Sequence, residues 1–174
     1  TVEKKEGHFY YQAAEHTSVS INLVDLPGTY SLSAFSLDES IARDYIVKEN
    51  PDVILNLVDA SNLERNLYLT LQLLELGKPV VMALNMMDLA TAKGLKINTE
   101  MLTSLLGIPI IPIVASKKVG LKELTAALVT ASKVDSTAYH VPYLASIEAT
   151  LSETIHLLED HSLKVPARCI ALKL

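Results

Sequence analysis

Three short polar stretches carry side chains of a kind that can hold a nucleotide: Asp25-Leu-Pro-Gly28, Asn85-Met-Met-Asp88 and Ala115-Ser-Lys117. The second is the most informative, because an Asn-x-x-Asp can read a purine. The Asp88 carboxylate would accept two parallel N–H bonds from the edge of guanine, whereas adenine offers no such donor pair and would leave a desolvated charge unpaired. Four residues make a short motif, so its position carries the weight. Taken singly, Asp25 reads as a strand-end turn residue and Asp88 as a helix cap.

The elements that must position these residues follow from the patterning. Val80-Val-Met-Ala-Leu84 is a five-residue apolar run behind the turn-former Pro79, the signature of a strand buried on both faces. The tetrad falls at its carboxyl end, where open α/β sheets place their ligands. His8-Phe-Tyr-Tyr-Gln12 and residues 18–24, with Val19, Ile21 and Leu23 alternating, read as an antiparallel hairpin that ends in Asp25. Residues 53–58 form an apolar strand of the kind expected at the centre of a parallel sheet, and Ile108-Pro-Ile-Ile-Pro-Ile-Val114 a last strand whose prolines favour an edge. All three polar stretches therefore stand at strand ends. Asn85 follows Asp25 by 60 residues and Ala115 follows Asn85 by 30, room enough for the strand-and-helix units between them.

Helices fill those gaps. Ser36 with Glu39 is a capping box opening a short helix with Ile41 and Tyr45 on one face, stopped by Pro51; Ser61 with Glu64 is a second. Leu63, Leu67, Leu71 and Leu74 then step along one face of an amphipathic helix towards Gly77 as left-handed cap. Residues 91–98 read as a loop, 99–106 as a helix closed by Gly107, and 121–129 as another. The alternation predicts an α/β fold, a mostly parallel sheet with helices on both faces. Residues 131–142 read as a linker. Beyond it, helices starting at Pro142 and at Pro166, the latter still running at Leu174, fall outside the alternation and read as the start of an α-helical subdomain.

Composition narrows the partners. The 174 residues are 49% hydrophobic with a net charge of −5, which argues against a nucleic-acid surface. The longest apolar run, residues 108–115, is broken by Pro109 and Pro112 and is far short of the roughly 20 residues of a membrane helix. The lone Cys169 cannot form an internal disulfide and reads as a small buried residue. The five histidines show no i, i+4 pair on a helix and no accompanying Cys pair, so they are not read as an iron site.

Together the three stretches resemble a GTPase of the P-loop class. In that class the first Asp holds Mg²⁺ through water, the Gly amide meets the γ-phosphate, and the third loop offers a backbone N–H to the guanine oxygen. Thr1-Val-Glu-Lys-Lys-Glu-Gly7, Asp25-Leu-Pro-Gly-Thr-Tyr-Ser-Leu32 and Asn85-Met-Met-Asp88, with Met86 where Lys is usual, resemble more narrowly the cytosolic GTPase domain of the ferrous iron transport protein B family. That resemblance implies a GTPase domain over residues 1–130 and a partial helical regulatory subdomain over residues 143–174. It implies GTP or GDP bound by Asp25, Gly28, Asn85, Met86, Asp88, Ala115, Ser116 and Lys117, and Mg²⁺ held by Thr1 and Asp25. Residues 29–38 would be the second switch. It further implies K⁺ stimulation, a membrane permease domain of the same polypeptide as partner, an oligomer as an allowed state, and a place on the cytoplasmic face of the prokaryotic inner membrane.

Two departures qualify the carry-over. The phosphate loop G-x-x-x-x-G-K-[ST] is missing, since the only Gly-Lys, Gly77-Lys78, is followed by Pro79. That loop, with its strand and helix, is expected upstream of Thr1, so residues 1–174 alone are expected to be inactive. The third loop reads Ala115-Ser116 where Ser-Ala is commoner. Thr29 follows Gly28 where many small GTPases keep a water-orienting Gln, so hydrolysis is expected to be slow. The function expected is a guanine-nucleotide switch and slow GTP hydrolase regulating Fe²⁺ uptake. The alternatives are a soluble GTPase of the ribosome-assembly kind, against which the acidic charge and helical appendage count, and a nucleotide-free interaction module.

Overall fold

The computed structural model describes residues 5–14, 17–32, 36–134, 141–158, 163 and 165–173. Its organising strand is β4 (Val80–Asn85), which lies between β3 (Ile54–Asp59) and β5 (Ile110–Pro112) in a three-stranded parallel sheet. Because side chains alternate along a strand, β4 feeds two cores. Val80, Met82 and Leu84 pack with Leu73 and Leu74 of α2 (Leu63–Leu74), while Val81 and Ala83 pack with Leu124 and Ala131 of α5 (Leu121–Ala131). Helices thus cover both faces, as the alternation predicts. Burying each large apolar side chain contributes about 1.5–3 kcal/mol.

The hairpin forms as expected but runs longer. β1 (Lys5–Ala14) and β2 (Thr17–Asp25) pair antiparallel, with Phe9 opposite Ile21 and Tyr11 opposite Val19. β3 departs from expectation: among the described residues it pairs on one side only, with β4, and its Leu57 is 60% exposed. A largely apolar strand therefore stands, among the described residues, at the edge of the sheet, where the pattern predicted a centre. β5 is shorter than residues 108–114 because Pro109 and Pro112 donate no N–H, although the Ile113 amide still reaches Leu84 O at 2.8 Å.

Ser36 caps α1 (Leu37–Glu49) as predicted, its hydroxyl accepting from the Glu39 amide at 3.2 Å. The buried face is Ala42 and Ile46, one position on from the expected Ile41 and Tyr45. At α2 the expected Ser61–Glu64 box is replaced by a 3-10 turn, Ala60–Asn62, in which the Asp59 carboxylate accepts the Ser61 amide at 2.8 Å. The expected loop over residues 91–98 gives way in part to α3 (Met87–Ala92), whose cap is the left-handed Met86, φ 61. Asn98 and Gly107, φ 67, bound α4 (Thr99–Leu106) as predicted.

α6 begins beyond Pro142, at Ala145, and runs to Leu158; α7 is only Ala167–Ala171, shorter than expected, and Leu174 lies outside the described residues. α7 is anchored by charge. Arg168 is 9% exposed and forks onto Glu148 through Nη1 and Nη2 with two bonds of 2.8 Å, while its Nε stands 3.3 Å from Glu75 Oε2 at the end of α2 and Nη2 also donates to Val141 O at 3.0 Å. Glu75 in turn accepts the Val141 amide at 3.3 Å. Beside this network Cys169 joins the α2 core.

Candidate functional site

The tetrad is built by a sharp change of backbone at the end of β4. Asn85 is the last strand residue, Met86 takes a left-handed conformation, and Met87 already belongs to α3. This bend sets Asp88 in the first turn of α3, where a carboxylate suits the positive end of the helix. The third loop is a 3-10 turn, Ala115–Lys117, closed by a left-handed Lys118 and by a bridge between Val114 and Val119. Gly120, φ 78, follows; a Cβ there would stand 2.5 Å from Pro112 O, so only glycine lets the chain pass.

The two loops meet. The Asn85 side-chain oxygen accepts the Ala115 amide at 3.0 Å, and the Met87 amide reaches Ile113 O at 3.5 Å. Lys117 Nζ donates to Asp88 Oδ2 at 2.6 Å, while Asp88 Oδ1 accepts the Leu89 amide at 3.0 Å. The Lys117 bond, ahead of the Leu89 amide, holds the Asp88 carboxyl below the usual carboxylate value, against a smaller opposing effect of desolvation. Met86 and Ser116 are exposed at the rim of this arrangement. It brings an acidic acceptor and a basic donor together where the two loops join, groups able to hydrogen-bond a polar heterocycle.

The first loop is held by a different element. Asp25 ends β2, exposed and opposite Lys5 in register, and a Cβ built on Gly28 meets nothing within 4 Å, so the turn faces open space. The Thr29 hydroxyl is engaged locally, donating to Ser31 O at 2.5 Å and accepting from the Ser31 amide at 3.2 Å. Beyond it α2 takes hold: the Arg65 guanidinium lies 3.8 Å from the centroid of the Tyr30 ring, and Gln72 Oε1 accepts the Leu32 amide at 2.6 Å. Arg65 and Gln72 were not among the residues nominated from sequence. Their signal was there, two polar residues about two turns apart on a leucine-rich helix. Thr1 lies outside the described residues, as do residues 33–35 of the expected second switch.

Among the described residues no group of three or more His, Cys, Asp or Glu side chains could hold a metal ion, and no helix is long and apolar enough to cross a membrane. Asp25 is a single exposed carboxylate at a strand end, which fits Mg²⁺ in the form it usually takes with nucleotides, held by one or two carboxylates and the phosphates themselves.

Residues 1–128 match the model of a family described as ferrous iron transport protein B. The Fe(2+) transporter FeoB of Escherichia coli strain K12 is 50% identical over 132 residues, 74% of this chain and 16% of that protein. Among solved structures, the cytosolic domain of the T. maritima FeoB iron transporter in its GMPPNP form superposes with a TM-score of 0.90 at 38% identity, over 99% of this chain and 67% of that one. The FeoB G-domain from Methanococcus jannaschii is 51% identical over 76% of this chain and 81% of its own, with a TM-score of 0.70. The chain spans 16% of the length of the curated relatives it matches.

Proposed function

The chain belongs to the ferrous iron transport protein B family, and we propose that it supplies the guanine-nucleotide switch that regulates Fe²⁺ passage through a permease in the same polypeptide. The observation that carries this is the joined pair of loops at the end of β4, with a half-exposed Asp88 beside Lys117 and Asn85 bracing the Ala115 amide. Asp88 accepts the paired N–H groups of guanine, and the Ser116 amide meets the base oxygen. Solved relatives bound to GMPPNP and to GDP support the same ligand class.

Asp25, with Thr1, holds Mg²⁺ against the phosphates, and the Gly28 amide senses the γ-phosphate. Mg²⁺ supplies charge neutralisation on the phosphate oxygens. A phosphate-binding loop with its strand and helix completes the GTPase domain of residues 1–130, its strand pairing along the open edge of β3; residues 143–174 open the helical regulatory subdomain. The Thr29 hydroxyl is turned onto Ser31, so it does not replace a water-orienting Gln and hydrolysis is slow. A K⁺ ion held by the phosphate-binding loop compensates, and equal hydrolysis rates in K⁺ and Na⁺ would remove that part of the reading. The switch works at the cytoplasmic face of the inner membrane.

The test is calorimetric titration of GDP and of ADP into the full-length protein with Mg²⁺ present. Binding of GDP with none of ADP is expected, and loss of GDP binding in Asp88→Ala. Binding of neither nucleotide overturns the proposal and leaves the two-loop corner as a docking surface without a nucleotide.

A further inference from the structure

We propose that Lys117 is a latch on the base site: it pairs with the Asp88 carboxylate, and guanine competes with it to bind. The inference rests on the guanine reading above and adds a residue that sets its affinity. Lys117 Nζ stands 2.6 Å from Asp88 Oδ2, and Oδ1 already accepts the Leu89 amide, so both carboxylate oxygens are engaged. Each oxygen thus has one acceptor position taken, and the ammonium competes for the carboxylate that guanine has to reach. A second cation–carboxylate contact of this kind does not build the corner. The Asn85 bond to the Ala115 amide and the contact of the Met87 amide with Ile113 O hold the two loops together without it.

The strength of the latch follows from its exposure. The Lys117 side chain is 63% exposed and that of Asp88 36%, which makes this a surface ion pair that water and salt can loosen. It is weak enough for a base to open and strong enough to lower apparent affinity by about two- to fivefold, the range of exposed pairs in good geometry. Adenine, with no donor pair to offer in exchange, leaves the latch shut. Release of the base is assisted in turn, because the ammonium is tethered nearby and recaptures Asp88 as the base leaves. Lys117 is thus a specificity-determining residue acting by competition and not by contact with the phosphates.

A double-mutant cycle on the full-length protein tests this, read by stopped-flow fluorescence of methylanthraniloyl GDP and methylanthraniloyl XDP with Mg²⁺. Lys117→Met keeps the aliphatic stem and removes the charge. Asp88→Asn converts the acceptor into a group that pairs with the extra oxygen of xanthine and holds an ammonium only weakly. The expected result is a two- to fivefold gain in GDP affinity for Lys117→Met, shrinking towards none as NaCl rises from about 0.05 to 0.5 M, and no gain in XDP affinity when the same change is made in Asp88→Asn. Lys117→Gln should follow Lys117→Met. A loss of GDP affinity in both Lys117 variants, or an equal gain in both Asp88 backgrounds, overturns the latch while leaving the guanine reading intact. Failure of Asp88→Asn to shift preference from GDP to XDP overturns the guanine reading itself.

Discussion

The side-chain oxygen of Asn85 accepts the backbone N–H of Ala115 at 3.0 Å, joining the end of β4 to a loop 30 residues further along the chain. Truncation to Asn85→Ala removes one partly exposed hydrogen bond, a cost to stability of about 1 kcal/mol. Its effect on the ligand is expected to be larger, because two loops that read one base lose their common register. We expect GDP affinity to fall more than tenfold while the urea midpoint moves little, measured by calorimetry and by denaturation on the same samples.

Gly120 tests the other support of the third loop. An alanine there meets Pro112 O at 2.5 Å with φ at 78°, so the loop must move or the backbone must strain. Gly120→Ala is expected to cost about 1–3 kcal/mol of stability and to weaken GDP binding together with it. A variant that binds normally and melts normally would show that this turn has slack.

Arg168 offers a test of the contact between the helical appendage and α2. Its partner Glu75 has a side chain only 6% exposed, so Arg168→Met leaves a carboxylate buried without its cation, at a cost of about 3–5 kcal/mol. Glu75→Gln with Arg168→Met together should cost clearly less than the sum of the two changes. Additive losses in urea denaturation would mean that the two side chains do not depend on each other.

Cys169 reports on the same contact. Burial pushes its thiol up, the nearby Lys173 opposing this in part. The unfolded chain therefore ionises first, and the stability this group contributes is full below the ordinary thiol value and lost as the pH rises from there through the raised one. Ellman's reagent should modify Cys169 far more slowly than a free thiol at the same pH, and Arg168→Met should speed the reaction as α7 loosens. Rapid modification of the unaltered protein would place the thiol at the surface.

Sequence alone was sufficient for several local signals, though not for the Ser61–Glu64 box, whose place the Asp59-capped turn takes. The apolar run of β4, the Asn98 and Gly107 ends of α4 and the Ser36 cap of α1 each rest on neighbours a few residues apart, and each is found where the pattern places it. α3 was missed because its start is set by the backbone of Met86, with no side-chain cap to read. β3 reads as a central strand from its apolar pattern, and among the described residues it pairs on one side only. The pairs Lys117–Asp88 and Arg168–Glu75 join distant segments, so no window along the chain contains them. The same holds for Arg65 and Gln72, whose work is visible only once Tyr30 and Leu32 lie across α2.

The side of β3 that carries no strand among the described residues has a practical meaning for anyone handling this protein. A row of backbone donors and acceptors next to an exposed Leu57 is a template on which another strand can add, and nothing obliges that strand to come from the same molecule. A preparation that leaves this side bare is expected to scatter more light as it is concentrated, with strands of separate molecules adding edge to edge. Leu57→Lys should suppress that growth, which makes solubility a readout of whether this edge is covered.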